Sequence, residues 1–258
     1  MNASASGSEE FAYLAPLFQA AAAHRTGDVI IPLPPPEAGS SLAADDGPLK
    51  SWGTAGWVRC LLPAGLLHVE VLRTLVADVR RVDPFTPWTL LRAAVEDFAT
   101  AVWLLDGPTR KVRQHRALRL WAEDFRNRAQ HEDDTGHTPE GSAKSGTERR
   151  EEVQHLADML GLRALARPHV TEIISDAAPV VGLDPRQARA SWRVASGFAH
   201  GRRWTPLRAA APNEIIATGE DRLVAFVIDD AELDSLASVC RTFLEHAAQR
   251  YTARGTAL

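Results

Sequence analysis

Residues 86–108 read TPWTLLRAAVEDFATAVWLLDGP, and this stretch decides the fold. Thr86 is predicted to be the N-cap of a helix and Pro87 its first residue, because the first helical N–H groups lack partners and proline has none to lose. The turn-forming residues 106–108 are predicted to end the helix. A helix that is apolar over most of its circumference is expected at the centre of a domain. The apolar positions are Leu90, Leu91, Ala94, Val95, Phe98, Ala101, Val102 and Leu105.

Helical periodicity continues on both sides of this central helix. Further helices are predicted over residues 9–24, 63–82, 109–134, 148–162, 168–179 and 184–200, and from 229 towards the C-terminus. A small β-hairpin is predicted from residues 214–218 and 222–228, which Gly219-Glu220-Asp221 joins. Because helices dominate and no alternation of strand and helix occurs, the predicted fold class is all-α, a helical bundle with this one hairpin.

The N-terminal part has a different composition from the rest. Residues 26–56 include IPLPPPEAGSSLAADDGP, which is rich in Pro, Gly and Ser and predicts an extended segment wrapped over the surface. Pro63 is expected in the first turn of the helix that follows. The predicted division is therefore an N-terminal helix and wrapping segment over residues 1–56, and a single helical bundle domain over residues 57–258.

Composition excludes several classes of protein. The chain has 258 residues and a net charge of −4, so no overall basic excess indicates nucleic-acid binding. Its two cysteines, Cys60 and Cys240, are too few for a disulfide framework, and no metal-ligand spacing occurs around His131 and His137. The N-terminus lacks the pattern of a signal peptide, and charged residues interrupt every apolar stretch of membrane-spanning length. We expect a cytoplasmic protein with no membrane association, metal or cofactor.

The predicted helix over residues 184–200 carries the most informative polar pattern. Arg189, Arg193, Ser196, Gly197 and His200 fall within an arc of roughly 100°, and Arg193 and His200 lie roughly 10 Å apart along the axis. Histidine is a general acid or base near neutral pH, and arginine stabilises developing anionic charge. The pair suits cleavage of single-stranded RNA, in which the 2′-OH is the nucleophile, and Gly197 is expected to leave room for a ligand or a partner backbone. A structural interpretation stays open, in which the helix dipole favours His200 and a carboxylate pairs with Arg193.

Two further sets of charged residues are candidates for a supporting role. Arg92 and Glu96 lie four residues apart on the central helix, so they are expected to pair with each other, or Glu96 faces Arg193 or His200 from the neighbouring helix. Another helix carries a row of arginines at intervals of three residues, which predicts either a phosphate-binding face or a solvated charged face. These arginines are Arg113, Arg116 and Arg119.

The segment RVASGFAH, from Arg193 to His200, resembles the R-x(4–6)-H motif of the HEPN superfamily, with an interval of six residues. The residues around it and RAAVEDFATAVWLLD at 92–106 are also similar to segments of uncharacterised actinobacterial helical proteins. The resemblance implies an α-helical bundle, often dimeric, in which the R…H helices of two subunits face each other. It implies Arg193 and His200 as the catalytic pair of a metal-independent endoribonuclease. Active members often have a polar residue directly after the arginine, where this chain has Val194.

Three functional hypotheses follow. The first is a HEPN-like endoribonuclease of a defence or toxin-type system, with single-stranded RNA as substrate, a homodimeric state, and Glu96 and Ser196 as supporting groups. The alternative is a non-catalytic binding or dimerisation module for an antitoxin-like or other protein partner, or for a small ligand. The third is a helical enzyme that acts on a small metabolite with Glu96 and His200 as its acid–base pair.

Overall fold

The protein is mostly helical in a computed structural model, which describes residues 11–137, 141–218 and 221–257. Helices account for most of the described residues. The α-helices of the described residues are α1 Ala15–Ala22, α2 Ser41–Asp46, α3 Thr54–Arg73, α4 Thr86–Leu105, α5 Arg110–Thr135, α6 Gly146–Met159, α7 Val170–Ala177, α8 Pro185–Ala199, α9 Trp204–Ala209 and α10 Asp230–Gly255. Short 3₁₀ turns cover Ala12–Leu14, Gly47–Trp52 and Ala178–Val181, and a π-helical turn covers Thr74–Val79. The predicted all-α class is confirmed.

Four strands form two antiparallel pairs. Strands β1 Arg25–Thr26 and β2 Val29–Ile30 make a minimal hairpin that sequence reading did not predict. Strands β3 Ala210–Thr218 and β4 Asp221–Ile228 form the predicted hairpin, which begins four residues earlier than expected. Two of its predicted turn residues, Gly219 and Glu220, lie outside the described residues.

Helix α4 is the centre of the bundle, as its apolar circumference predicted. It packs against α3, α7, α8 and α10, and all of its apolar side chains from Ala101 to Leu105 are buried. The helix ends at Leu105, as expected. The prediction that Thr86 is the N-cap is wrong, because Asp83 performs that role from outside the helix. Its carboxylate accepts hydrogen bonds from the backbone N–H groups of Phe85 and Thr86, both at 2.9 Å.

Helix α3 begins nine residues before Pro63, so the predicted start at that proline is wrong. The cause is Asp46, whose carboxylate accepts hydrogen bonds from the backbone N–H groups of Thr54 at 2.8 Å and Ala55 at 2.9 Å. This cap satisfies the first turn of the helix and fixes its origin. Pro63 sits in the helix interior, where it removes one backbone hydrogen bond. Burial of Leu62 and Leu66 beside it offsets that loss.

The segment over residues 26–56 is only partly the surface loop that its composition predicted. Residues 31–37 form no helix or strand, but α2 follows, with the Ser40 Oγ atom of its N-cap 3.1 Å from Ala43 N. Leu42 and Leu49 are fully buried in the apolar core that also contains the side chains of α4. The prolines and glycines therefore mark turns between helical pieces rather than a continuous loop.

The other helix ends follow their sequence signals. Thr109, Asp184 and Asp229 cap α5, α8 and α10 with their side chains, and Ser145 and Glu148 form a reciprocal capping box at the start of α6. The helix predicted over residues 9–24 is shorter in its described part, because a 3₁₀ turn precedes α1. Together α3 and its π-helical turn form one 26-residue helix, Thr54–Val79, that is long and apolar enough to span a membrane. Arg59, Glu70 and Arg73 lie within it, and 28% of its most apolar stretch is buried.

Candidate functional site

Helix α8 packs one side against the bundle and exposes Arg193 and His200 on the other, although Gly197 between them is buried. The Asp184 carboxylate accepts from Arg186 N at 2.7 Å at its start, and Gly201 adopts a φ of +60° just after its end. Val194, Ala195 and Phe198 are buried on the packed side, and the Phe198 ring stacks on that of Trp88, with centroids 4.8 Å apart. This packing fixes the rotation of α8 and directs the opposite face to solvent.

Arg193 and His200, the predicted catalytic pair, both lie on the exposed side of α8. Neither side chain has a hydrogen bond or ion pair within the described residues, so no carboxylate there occupies Arg193. His200 is the C-cap residue directly after the helix, and Ser196 lies half-buried between the two. The Nε of Arg189 donates to the carbonyl oxygen of Pro185, at 3.2 Å, one turn earlier on the same helix. The exposed stripe therefore leaves Arg193 and His200 open to a ligand.

Gly197 does not provide the space for a ligand that the sequence suggested. A Cβ atom added at this position would lie 2.1 Å from Cγ2 of Thr205 and 3.3 Å from Cζ2 of Trp204. Helix α9 thus packs directly on the backbone of α8 here. Thr205 is fully buried, and its hydroxyl donates to the carbonyl oxygen of Arg202 at 2.7 Å. The glycine permits close contact between two helices.

Glu96 links α4 to α8 through Trp192, which was not among the predicted site residues. Its carboxylate lies 2.9 Å from Nε of Arg92, which is the predicted pair within α4, and it accepts a hydrogen bond from Nε1 of Trp192 at 2.8 Å. The alternative, in which Glu96 faces Arg193 or His200, is wrong, because Trp192 occupies that carboxylate from α8. The hydrogen bond from Trp192 to Glu96 therefore helps to orient α8. Glu96 and His200 of the same chain do not form the predicted acid–base pair.

The arginine row of α5 is neither a solvated face nor a row of free phosphate ligands. Arg113 donates to the Asp45 carboxylate through Nε at 2.6 Å. Arg116 donates to Asp176 at 2.8 Å, and Arg119 donates to Glu172 at 2.7 Å. These carboxylates come from α2 and α7, so the spacing along α5 did not reveal them. Each arginine ties α5 to another part of the fold.

A groove of about 830 Å³ lies between α8, α9 and α10, and Arg193 lines it. Its apolar wall includes Val194, together with the exposed residues Trp204 and Leu207, of which 47% and 78% of the surface is accessible. Arg208 Nη1 lies 2.7 Å from the Glu232 carboxylate across the groove. His200 does not belong to the lining. The groove therefore combines aromatic, apolar and charged groups beside one member of the predicted pair.

The segment over residues 185–208, which forms α8, the turn after it and most of α9, is locally basic. It contains six arginines and no aspartate or glutamate, although the whole chain has a net charge of −4. Arg186, Arg193, Arg202 and Arg203 are exposed and form no ion pair with any described residue. The net charge of the whole chain does not indicate this segment, whereas a count of charged residues in short windows of the sequence does. Its arginines and exposed Trp204 are the residue types that bind single-stranded nucleic acid.

No family model, curated protein or solved structure matches this chain. The fold and site thus define a mostly α-helical protein with a basic, partly aromatic surface on α8 and α9. The HEPN resemblance of residues 193–200 stays a prediction.

Proposed function

We propose that this protein is a metal-independent endoribonuclease that binds single-stranded RNA across α8 and α9. One observation carries the proposal: Arg193 and His200 are both exposed, without partners among the described residues, within a segment that has six arginines and no acidic residue. Exposed arginines attract phosphates, and the Trp204 ring offers a stacking surface for a base. The HEPN resemblance of the same residues supports the proposal independently.

In the proposed reaction, His200 removes the proton from the 2′-OH, and the 2′-oxygen attacks the adjacent phosphorus. The bond from phosphorus to the 5′-oxygen breaks, which leaves a 2′,3′-cyclic phosphate and a 5′-hydroxyl. Arg193 stabilises the negative charge that develops on the phosphate oxygens. A single histidine supplies a base, and the leaving oxygen also needs a proton. His200 of a second copy supplies that proton if the two α8 helices face each other in a homodimer.

The test is cleavage of a fluorescent single-stranded RNA in EDTA by wild-type protein and by His200→Ala and Arg193→Ala. We expect each substitution to lower the rate by about 10²-fold or more, because each removes a group that acts in the transition state. Arg150→Ala is the matched control, since Arg150 is also exposed but lies on α6. Cleavage that survives both substitutions, or that never occurs in the wild-type protein, contradicts the proposal.

The groove favours a second candidate, a non-catalytic module that self-associates through α9. Leu207 is 78% exposed at the edge of the 830 Å³ groove, and Trp204 is 47% exposed beside it. Exposed large apolar residues around a cavity are typical of association surfaces. Sedimentation of the wild-type protein and Leu207→Asp tests this candidate. A wild-type dimer that the substitution converts to monomer, with no RNA cleavage by either protein, favours the module over the nuclease.

A further inference from the structure

A second cavity, of about 320 Å³, lies between α5, the segment after α6, and α7. It shares no lining residue with the groove beside Arg193. Its charged or titratable lining residues are Lys111, His115, Arg116, Arg119, Arg163, Glu172 and Asp176. With His115 neutral, four cations face two carboxylates, so the lining has an excess of two positive charges. The lining is therefore positively charged, although the chain as a whole has a net charge of −4.

The two carboxylates of this cavity are already committed to arginines at its floor. Glu172 accepts from Arg119 at 2.7 and 3.0 Å. Asp176 accepts from Arg116 at 2.8 Å and from Trp103 Nε1 at 3.1 Å, both at its Oδ2 atom. The Arg116 and Arg119 side chains are mostly buried, and the Arg116 guanidinium lies 4.7 Å above the Trp103 ring. The floor is therefore rigid, and both carboxylates are in use.

The two cations at the rim have no such partners. Lys111 and Arg163 are exposed, and neither forms an ion pair within the part of the chain that the structure describes. They come from different elements, Lys111 from the first turn of α5 and Arg163 from the segment after α6. Arg116 also has donors available to a ligand in this cavity. Its guanidinium group has five N–H groups, of which one donates to the carbonyl oxygen of Trp103 and one to Asp176.

His115 completes the wall of the cavity in its neutral form. Burial lowers the pKa of this histidine, so it carries no charge at neutral pH. Its Nε2 lies 3.3 Å from the carbonyl oxygen of Ala164, which accepts the hydrogen, so Nε2 is the protonated nitrogen. Burial also lowers the pKa of Arg116, because the nearby carboxylates do not fully offset the cost of burying its positive charge.

We propose that this cavity binds the phosphate group of a small phosphomonoester, with Lys111 and Arg163 closing on it above Arg116. A phosphomonoester carries close to two negative charges at neutral pH, which matches the excess of two positive charges in the lining. Arginine and lysine donors in a partly enclosed site are the groups that hold phosphate oxygens in proteins. The site does not depend on Arg193 or His200.

The test is isothermal titration of the full chain with inorganic phosphate and with AMP, and with adenosine as the comparator that lacks phosphate. We expect binding of phosphate and AMP and none of adenosine. Lys111→Ala and Arg163→Ala are each expected to raise Kd by about tenfold, the effect of losing one charge-assisted contact. Arg150→Ala is the control for a lost surface arginine, and its Kd is expected to stay within about twofold of wild type.

Three results overturn the proposal: no binding of phosphate at millimolar concentration, equal Kd values for wild type and both rim variants, or binding of adenosine as tight as that of AMP. The same variants separate this site from the proposed nuclease. Lys111→Ala and Arg163→Ala are expected to cleave RNA at the wild-type rate. Arg193→Ala is expected to bind phosphate with the wild-type Kd, so either proposal can fail alone.

Discussion

Two arginine clusters of this protein have opposite environments. In the Asp45 junction, defined as Asp45 with Arg110, Arg113 and Arg254, three guanidinium groups from α5 and α10 surround one carboxylate of α2 that is 2% exposed. In the segment 185–208, most arginines face solvent without a carboxylate among the described residues. The residue type is the same in both places. The difference is that the junction has an acidic residue supplied from a distant part of the chain.

This difference separates charge that holds the fold together from charge that has no protein partner in the described part of the chain. An arginine in a buried ion pair does not readily leave its carboxylate to bind a ligand, because the carboxylate would then be an unpaired charge in a poorly solvated site. Exposed, unpaired arginines bind an anionic ligand without first breaking an ion pair. The junction therefore holds α2, α5 and α10 together, whereas Arg186, Arg193, Arg202 and Arg203 are exposed and have no such partner among the described residues.

The largest effect is expected from Asp45→Asn. It leaves three arginines around a neutral side chain, one of which, Arg254, is itself buried. We expect the free energy of unfolding in urea to fall by about 3–5 kcal/mol, the cost of removing one partner of a buried ion pair. Asp133→Asn is the control, since Asp133 is an exposed acid on α5. A loss of less than about 1 kcal/mol in Asp45→Asn contradicts the structural role of the junction.

Acid is expected to weaken the same junction. Burial raises the pKa of Asp45, but hydrogen bonds and charge from Arg113 and Arg254 more than reverse that effect, so its pKa lies below the ordinary value of 3.8. The stabilisation is therefore present above the unfolded-state pKa and is lost as pH falls through the folded-state pKa. The difference in stability between wild type and Asp45→Asn should be constant above about pH 5 and shrink below pH 4.

Sequence alone predicted the helices and the exposed pair but not the partners. The central position of α4 and the polar stripe of α8 both depend on residues near each other in the chain. The ion pairs of the junction join residues 65, 68 and 209 positions apart, and the Glu96–Trp192 bond spans 96. Local sequence patterns do not predict contacts between residues so far apart in the chain, so the ion pairs of the α5 arginines could not be predicted. The start of α3 was also missed, because the side chain of Asp46 lies outside the helix it caps.

Gly197→Ala should have the next largest effect, and it tests the contact between α8 and α9. The added methyl group meets Thr205 Cγ2 at 2.1 Å, so the Thr205 side chain or α9 itself must shift. We expect a loss of about 1–2 kcal/mol in unfolding experiments, since overpacking exceeds the gain in helix propensity. Adding Thr205→Ser removes the clashing methyl group and should restore most of the loss. Failure of this rescue contradicts the direct contact.

Asp97→Asn tests the opposite case to Asp45, because Asp97 is a half-buried carboxylate without any cationic partner among the described residues. Burial, with a smaller contribution from Glu96, raises its pKa to about 7, from an ordinary value of 3.8. The folded state thus binds a proton more tightly than the unfolded state, so Asp97 makes the protein less stable as pH rises from about 4 to 7. We expect Asp97→Asn to be about 1 kcal/mol more stable than wild type at pH 8, and similar to it at pH 4. Equal stability at both pH values contradicts this environment.

The smallest change in stability is expected from Arg193→Ala, and it bears most directly on function. Arg193 is exposed and unpaired within the described residues, so its removal should alter the free energy of unfolding by less than about 0.5 kcal/mol. RNA affinity, measured by fluorescence anisotropy, should fall and lose part of its dependence on salt concentration, because one fewer counterion is released. Arg113→Ala is the opposite case, an arginine held by Asp45, which should destabilise the fold and leave the salt dependence unchanged. If Arg193→Ala destabilises the fold as much as Arg113→Ala does, the two clusters do not differ in the way their partners indicate.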